Sequence, residues 1–400
     1  MRLADRRPSQ VTKESLEALI GVESESKYIE YKRSLPGKTD DAKREFLFDA
    51  SSFANTEGGY LVFGIEEANG RATRLTGLPG INPDDEILRL EQMLRDGVRP
   101  PLTVETAAVL LDGGSVAIVM RISKSWNPPH QVTFQKAARF YARASNGKYQ
   151  LDVDELRSVF LLSANIAEKI RNLRAERCSR ILSGDAPVTL MDGGSFVLHI
   201  IPFSAFALES RFPLNRVAAE PHRFPPVASH LTGRPQITLD GLIVTSSANP
   251  PPAPQRAYTH VFREGVVEAV ASSFGRGQDQ DWIHLVRLEN TIIEYSRLYI
   301  NALHHLGVEA PFAVMSSLLG VKGHHISRQN GSGPAIREDP ESAPIRSAQV
   351  NFVESVFHAV PGDAASTARG LRATLDHMAN AAGLASSPRF DDDGNYVPLP

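Results

Sequence analysis

Only one cysteine, Cys178, occurs in the 400 residues, so no intramolecular disulfide can form and the expected setting is a reducing cytoplasm. No apolar run approaches the ~20 residues that a membrane-spanning helix needs. The opening MRLADRRPSQ lacks the apolar core of a secretory leader, so no membrane partner is expected. A G-x-x-x-x-G-K-[ST] loop is also missing, which sets aside ATP hydrolysis of the P-loop kind. Nor is there a strong charge of one sign: 43 Lys and Arg face 46 Asp and Glu, for a net charge of -3. Split at residue 180, the front part has 27 basic against 25 acidic residues and the rear part 16 against 21. That asymmetry permits nucleic-acid binding by the front half without demanding it, because a strongly basic domain is the usual signature. What is present is ordinary for a folded chain, 42% hydrophobic and 22% charged. Its length exceeds what one core usually supports, so two domains are expected, 1–180 and 181–400.

Thr12 is placed to cap a short helix through about Ile20. KYIEYK then alternates, with Ile29 and Tyr31 on one face and Tyr28, Glu30 and Lys32 on the other, which predicts a strand with one buried face. Past Pro36-Gly37, the stripe Phe46, Leu47, Ala50, Phe53 and Ala54 predicts a helix that stops between Asn55 and Gly59. YLVFGI, residues 60–65, reads as a strand buried on both faces and leaving at Glu66 and Glu67. The apolar runs around Asp112-Gly113-Gly114 read as a hairpin, and ARFYARAS reads as a strand. Asp152 with Glu155 forms a capping-box pattern that opens a helix to about Arg177.

In the rear half, SFVLHIIPF and GLIVTSS read as strands and ANPPPAP, residues 248–254, as an extended loop. A long helix is predicted from Trp282, with a stripe running from Leu285 to Leu306 that faces a core or a partner subunit. Residues 321–348 read as a flexible loop, and LRATLDHMANAAG as a closing helix. The pattern as a whole is α+β in both parts, with the C-terminal region ending in helices.

The chemistry concentrates in GVESESKYIEYKRSL, residues 21–35. Glu30 and Lys32 stand at i and i+2, on one face of a strand. A solvated charged face is one reading. The other is a metal site, since Mg2+ and Mn2+ prefer carboxylate oxygens, and such a metal activates water and neutralises charge in phosphodiester cleavage. A nearby lysine then adds a point charge for phosphate. Glu25 lies five residues before Glu30, so a bend near Ser24–Ser26 is required if both serve one metal, and Glu67 joins only if its strand is a near neighbour.

ESKYIEYKRSL, then SSFANTEGGYLVFGIEE, then SKSWNPPH and RFYARASNG resemble the AlbA-like domain of the Schlafen family over roughly residues 20–160. The resemblance implies an N-terminal mixed sheet with packed helices. It also implies a metal-dependent endoribonuclease acting on structured RNA such as tRNA, with Mn2+ or Mg2+ held by three acids. Matched residue by residue, these acids fall on Glu25, Glu30 and Glu67, with Lys32 beside them. Glu66-Glu67 stands where the family pattern has Asp-Asp, Tyr31 where it has Phe and Ser52 where it has Ala. In that family two related lobes clamp RNA. Here one is recognisable, so either residues 181–270 form a degenerate second lobe or a homodimer completes the clamp. Many bacterial proteins with this domain are described as DNA-binding regulators, so a non-catalytic, nucleic-acid-binding transcriptional regulator is the alternative.

Arg33 and Lys38, with Lys27, Lys43 and Arg44, are candidate phosphate contacts, or a solvated face. Arg139, Tyr141 and Arg143 alternate along a strand and could line an RNA groove, or serve the fold. His130, after Pro128-Pro129, has no partner identifiable in sequence and reads as structural. Adjacent pairs such as His304-His305 do not share a helix face and make poor metal sites.

Overall fold

The computed structural model describes residues 7–22, 28–136, 138–144, 147–206, 212–229, 233–247, 253–274, 282–328 and 342–398. Glu25 and Lys27 lie outside the described residues. The chain divides into two compact units, Met1–Asn165 and Ile166–Pro400.

In the first unit, α1 (Lys13–Glu17) is capped by Thr12, whose side chain accepts from the Ser15 amide. β1 (Ile29–Lys32) follows, then α2 (Asp40–Ala54), capped by Thr39. Next come β2 (Gly59–Phe63), β3 (Ile65–Ala68), β4 (Arg71–Leu75), α3 (Pro83–Gly97), β5 (Val98–Arg99), β6 (Val104–Leu110) and β7 (Val116–Ile122). β8 (Gln131–Val132), β9 (Arg139–Ala144) and β10 (Gly147–Gln150) follow, and the long α4 (Val153–Leu182) starts in this unit and ends in the second. The main sheet runs β1-β2-β7-β6 and is mixed. β1 lies parallel to β2, a pairing that needs a crossover, and α2 is that crossover. The other two pairings are antiparallel, with β6 and β7 forming the expected hairpin.

Both faces of this sheet are covered. Leu61 and Phe63 pack with Phe46, Leu47 and Phe53 of α2 and with Leu90 and Leu94 of α3. Tyr60 and Val62 pack with Ile29, Tyr31, Leu16 and Leu19 on the opposite face. A central strand covered on both sides can be apolar throughout, which accounts for YLVF. β1 lies at the sheet edge and keeps its alternation: Ile29 and Tyr31 are buried, while Glu30 and Lys32 are half-buried on the α2 side.

The strand read as YLVFGI is shorter than its apolar run. Gly64 takes a φ of 97°, a left-handed turn that favours glycine, and Ile65 opens the separate β3–β4 hairpin. Glu66 and Glu67 therefore sit on that hairpin and not at the exit of the central strand. A second sheet, β10-β9-β8-β5, is antiparallel throughout. The Asp152–Glu155 box forms as expected, each side chain accepting the other's amide, at 2.8 and 3.0 Å, and α4 continues past Arg177 to Leu182.

The second unit contains β11 (Ser195–Pro202), α5 (Leu214–Ala219), β12 (Gln236–Ile237), β13 (Gly241–Thr245), β14 (Ala257–Phe262), β15 (Val267–Ala271), β16 (Trp282–His284) and α6 (Leu285–His305). β17 (Phe312–Leu319), β18 (His325–Ser327), β19 (Gln349–Asn351), β20 (Ser355–Phe357), α7 (Ala364–Gly370) and α8 (Arg372–Ala381) follow. One eight-stranded sheet, β12-β13-β14-β15-β11-β17-β19 with β20 also on β17, is antiparallel at every pairing. Leu288, Ile292, Tyr299 and Leu303 of α6 join its larger core, so the helical stripe faces a core as expected.

Three readings change here. Trp282–His284 is extended, pairing in parallel with β18, so α6 starts at Leu285. β18 lies within the segment read as a loop, of which residues 329–341 are outside the described residues, as are 248–252 of the proline-rich stretch. Finally, β11 to β15 share their sheet with β17, β19 and β20, so residues 181–270 do not stand as a separate second lobe.

Candidate nucleic-acid site in the N-terminal unit

Glu30 and Lys32 share one face of β1 because side chains alternate along a strand, and that face looks onto α2. Lys32 Nζ lies 2.7 Å from Glu30 Oε1 and 3.1 Å from Asp49 Oδ2. The other oxygen of Glu30 accepts from Arg143, and the other oxygen of Asp49 accepts from Lys148 Nζ at 2.6 Å. Lys148 also pairs with Glu45. The result is a chain of alternating charges, Arg143–Glu30–Lys32–Asp49–Lys148–Glu45, running from the buried edge of β9 to the exposed flank of α2.

FANTEGG explains how this chain is built. Asn55 ends α2 and donates from Nδ2 to the Tyr141 carbonyl at 2.8 Å and to the His130 carbonyl at 3.0 Å. It also accepts the His130 amide at 2.6 Å. Thr56 Oγ1 accepts the Arg143 amide at 2.9 Å. Two consecutive polar residues thus pin β9 to the end of α2. The Arg143 guanidinium stacks 4.3 Å from the centre of the Phe53 ring and reaches Glu30.

The electrostatics follow from this packing. Burial pushes the Glu30 carboxyl up, but Arg143 and Lys32 outweigh it and hold it below the ordinary carboxylate range. Burial opposes the charge on Lys32, yet Asp49 and Glu30 more than compensate, so its ammonium is held above the ordinary lysine range. Lys32 is therefore a permanent point charge and no proton acceptor. Asp49 is 2% exposed, and burial raises its carboxyl despite Lys32 and Lys148.

The remaining candidates are dispersed. Glu67 is exposed and turns back onto its own hairpin, accepting the Gly70 amide at 2.7 Å. Arg33 is exposed and pairs with Glu66 at 3.3 Å. Arg139 is exposed, whereas Tyr141 packs on Phe48 with ring centres 4.2 Å apart. Arg143 is buried, so it serves Glu30 and does not line an open groove. Lys38 lines a cleft of about 340 Å3 with Lys43, Arg89 and Phe134, which puts two lysines and an arginine around one hollow. His130 is buried with Nδ1 2.8 Å from the Pro100 carbonyl and Nε2 2.6 Å from Ser125 Oγ, a turn-holding arrangement.

Among the described residues no group of three or more His, Cys, Asp or Glu could hold a metal ion. The donor set that is described, Glu30 with Asp49, consists of carboxylate oxygens only, the chemistry that suits Mg2+ or Mn2+. Asp49 escaped the sequence reading, although a signal existed. It interrupts the apolar stripe of α2 between Phe46 and Phe53, where an acid must find cations on neighbouring strands.

Residues 25–152 match the family profile described as Schlafen, AlbA_2, and the chain carries a Schlafen AlbA-like domain in its first unit. Among solved structures, the DIP2311 protein from Corynebacterium diphtheriae is similar at 16% identity with a TM-score of 0.25, over 34% of this chain and 29% of that one. The N-terminal domain of a RecG-related protein from Nitrosomonas europaea is similar at 24% identity with a TM-score of 0.22, over 28% of this chain and 71% of that one. This chain thus aligns with under a third of the diphtheria protein's length. No curated protein matches it. The domain points to a nucleic-acid-related function.

Proposed function

We propose that the first unit binds structured RNA, such as tRNA, and cleaves it at the Glu30–Lys32 centre in a reaction that requires Mg2+ or Mn2+. The observation that carries this reading is the ion-paired row that β9, the edge strand β1 and α2 assemble, Arg143–Glu30–Lys32–Asp49, beside the Lys38–Lys43–Arg89 cleft. Lys32 is a fixed positive charge suited to a phosphoryl oxygen, and Arg143 orients Glu30 from behind. Lys38, Lys43 and the exposed Arg33 and Arg139 supply phosphate contacts along the surface. Glu25, Glu30 and Glu67 are the proposed metal ligands, of which Glu67 would have to exchange its bond to the Gly70 amide for the ion. A bound divalent ion would supply an activated water and neutralise charge at the phosphorus. A second copy of the chain would complete a two-lobed clamp, and sedimentation with and without RNA tests that homodimer.

The test is incubation of total tRNA and a matched DNA duplex with Mn2+ or chelator, using the wild type beside Glu30→Gln. The glutamine keeps the size of the side chain, so Arg143 stays packed while the carboxylate charge is lost. RNA fragments that need metal and vanish in the variant, with RNA binding retained, are the expected result. Metal-dependent cleavage unchanged by Glu30→Gln would refute this site.

A second reading, a non-catalytic DNA-binding regulator, is favoured by one observation: both oxygens of Glu30 are already ion-paired, and Glu67 is bonded to Gly70. It expects salt-dependent binding of DNA and no fragments under any metal condition.

A further inference from the structure

Beside the charged row lies a second hollow, a cleft of about 250 Å3 between β1, the loop after it, β2 and α2. Phe46, Phe63, Leu61 and Pro36 form apolar walls, and Lys32 and Asp49 line the same space. It falls below the roughly 300 Å3 at which drug-sized ligand sites begin, so it suits one flat ring system and not a whole oligonucleotide. Asp49 Oδ2 is a buried carboxylate oxygen without a hydrogen bond, with the Lys32 ammonium 3.1 Å away as an ion-pair partner. A buried acceptor of this kind is costly unless a donor meets it. An ionised carboxylate has about four lone-pair positions, of which Lys148 and Lys32 engage part.

Resting on the reading above, we propose that this cleft receives an unpaired guanine base of the RNA bound at the Glu30–Lys32 centre. The edge of guanine carries one acceptor, O6, next to two donors, N1–H and N2–H. Lys32 beside Asp49 presents the complementary row, one donor next to a carboxylate whose two oxygens, already facing Lys148 and Lys32, retain further lone-pair positions. Adenine and cytosine offer that carboxylate one amino group, and uracil one ring N–H. The aromatic and apolar walls supply stacking and packing that any base would share, so the charged pair carries the selection. Position agrees as well. The cleft and the Lys38–Lys43 hollow share the Leu35–Lys38 loop and adjacent positions of α2, so a strand whose base enters one can lay its phosphates along the other.

The experiment is fluorescence anisotropy with labelled single-stranded RNA heptamers in chelator, where no cleavage occurs. One heptamer is uridine throughout, and the others carry a single central guanine, adenine or cytosine. The guanine heptamer is expected to bind about ten-fold more tightly than the rest, in the range of one well-made pair of base contacts. Asp49→Asn should erase the difference. Because Asp49 is ion-paired and buried, a second variant is needed that leaves every charge in place. Ala42, half-buried on the cleft wall, serves. Ala42→Phe should fill the cleft, keep the wild-type melting temperature within a few degrees and level all four affinities. Equal affinity of the wild type for all four heptamers would overturn the guanine site while leaving RNA binding intact. No binding by any of them would also overturn the guanine site, whereas the proposed function stands or falls separately on the tRNA assay.

Discussion

Glu30 carries two duties, and they separate under mutation. Its carboxylate is the proposed centre of the chemistry, and it is also the counter-ion of Arg143, whose side chain is 3% exposed. Truncation by Glu30→Ala removes the carboxylate partner of a buried guanidinium, and breaking a buried ion pair typically costs about 3–5 kcal/mol. Glu30→Ala is therefore expected to unfold at markedly lower urea concentration than Glu30→Gln, which keeps a hydrogen-bonding oxygen for the arginine. Urea titration of the two variants, read beside their activities, checks this. If both variants unfold alike, the Arg143 pair is not what Glu30 stabilises. The same logic explains why Asp49 was overlooked. An acid within a helical apolar stripe is read as a solvated interruption until the helix docks, and docking brings Lys32 and Lys148 from two different strands.

The junction between α2 and β2 sets the site's geometry. Gly59 begins β2 directly under the end of the helix, and a Cβ there would lie 2.3 Å from the Phe53 ring and 2.6 Å from the Tyr28 carbonyl. The ring cannot yield easily, because the Arg143 guanidinium stacks on it. Gly59→Ala is expected to cost about 1–3 kcal/mol or more as overpacking. It should also weaken the Arg143–Glu30 contact, so a lower melting temperature is expected together with loss of cleavage. Calorimetry on the variant tests the first part. FANTEGG thus has a physical content beyond resemblance: the helix stop, the Asn55 and Thr56 pins on β9, and the close glycine approach are one construction that delivers Arg143 to Glu30.

Acid sensitivity belongs to the chain as a whole and is expected to arise in the second unit. There His199, Glu268 and His260 stand in one row on β11, β15 and β14, all buried, and Arg177 of α4 holds Glu268 through two hydrogen bonds of 2.8 and 2.9 Å. Tyr258 donates its hydroxyl to the same carboxylate at 2.8 Å. Burial lowers the His260 imidazole from 6.5 to about 4, so the unfolded chain binds the proton more readily than the folded one. Stability is therefore complete above pH 6.5 and falls as pH drops towards 4, by about 2 kcal/mol at pH 5 at ~1.4 kcal/mol per pH unit. Glu268 adds a lower window. Burial opposes its charge, but Arg177 and His199 hold it well below the ordinary carboxylate range, so its contribution is present above that range and lost in stronger acid. Chemical denaturation at pH 7 and pH 5 should show this loss in the wild type and a smaller one in His260→Phe. An equal loss in both would place the acid sensitivity elsewhere.

Periodicity and capping residues were enough to read about half the elements of the first unit and fewer of the second, those that rest on neighbours within a few positions: the alternation of KYIEYK, the α2 stripe, the Asp152–Glu155 box and the α6 seam. Local pattern failed where a backbone dihedral or a distant pairing intervened. Gly64 cut the apolar run short and moved Glu66 and Glu67 onto a hairpin. Pairing with His325–Ser327 kept Trp282–His284 extended ahead of its helix. Of the site, Glu30 and Lys32 were legible because two residues on one strand face need no tertiary information. Asp49, Lys148 and the buried role of Arg143 were not, since an ion pair between residues 99 or 113 positions apart exists only after β1, α2, β9 and β10 have been brought together.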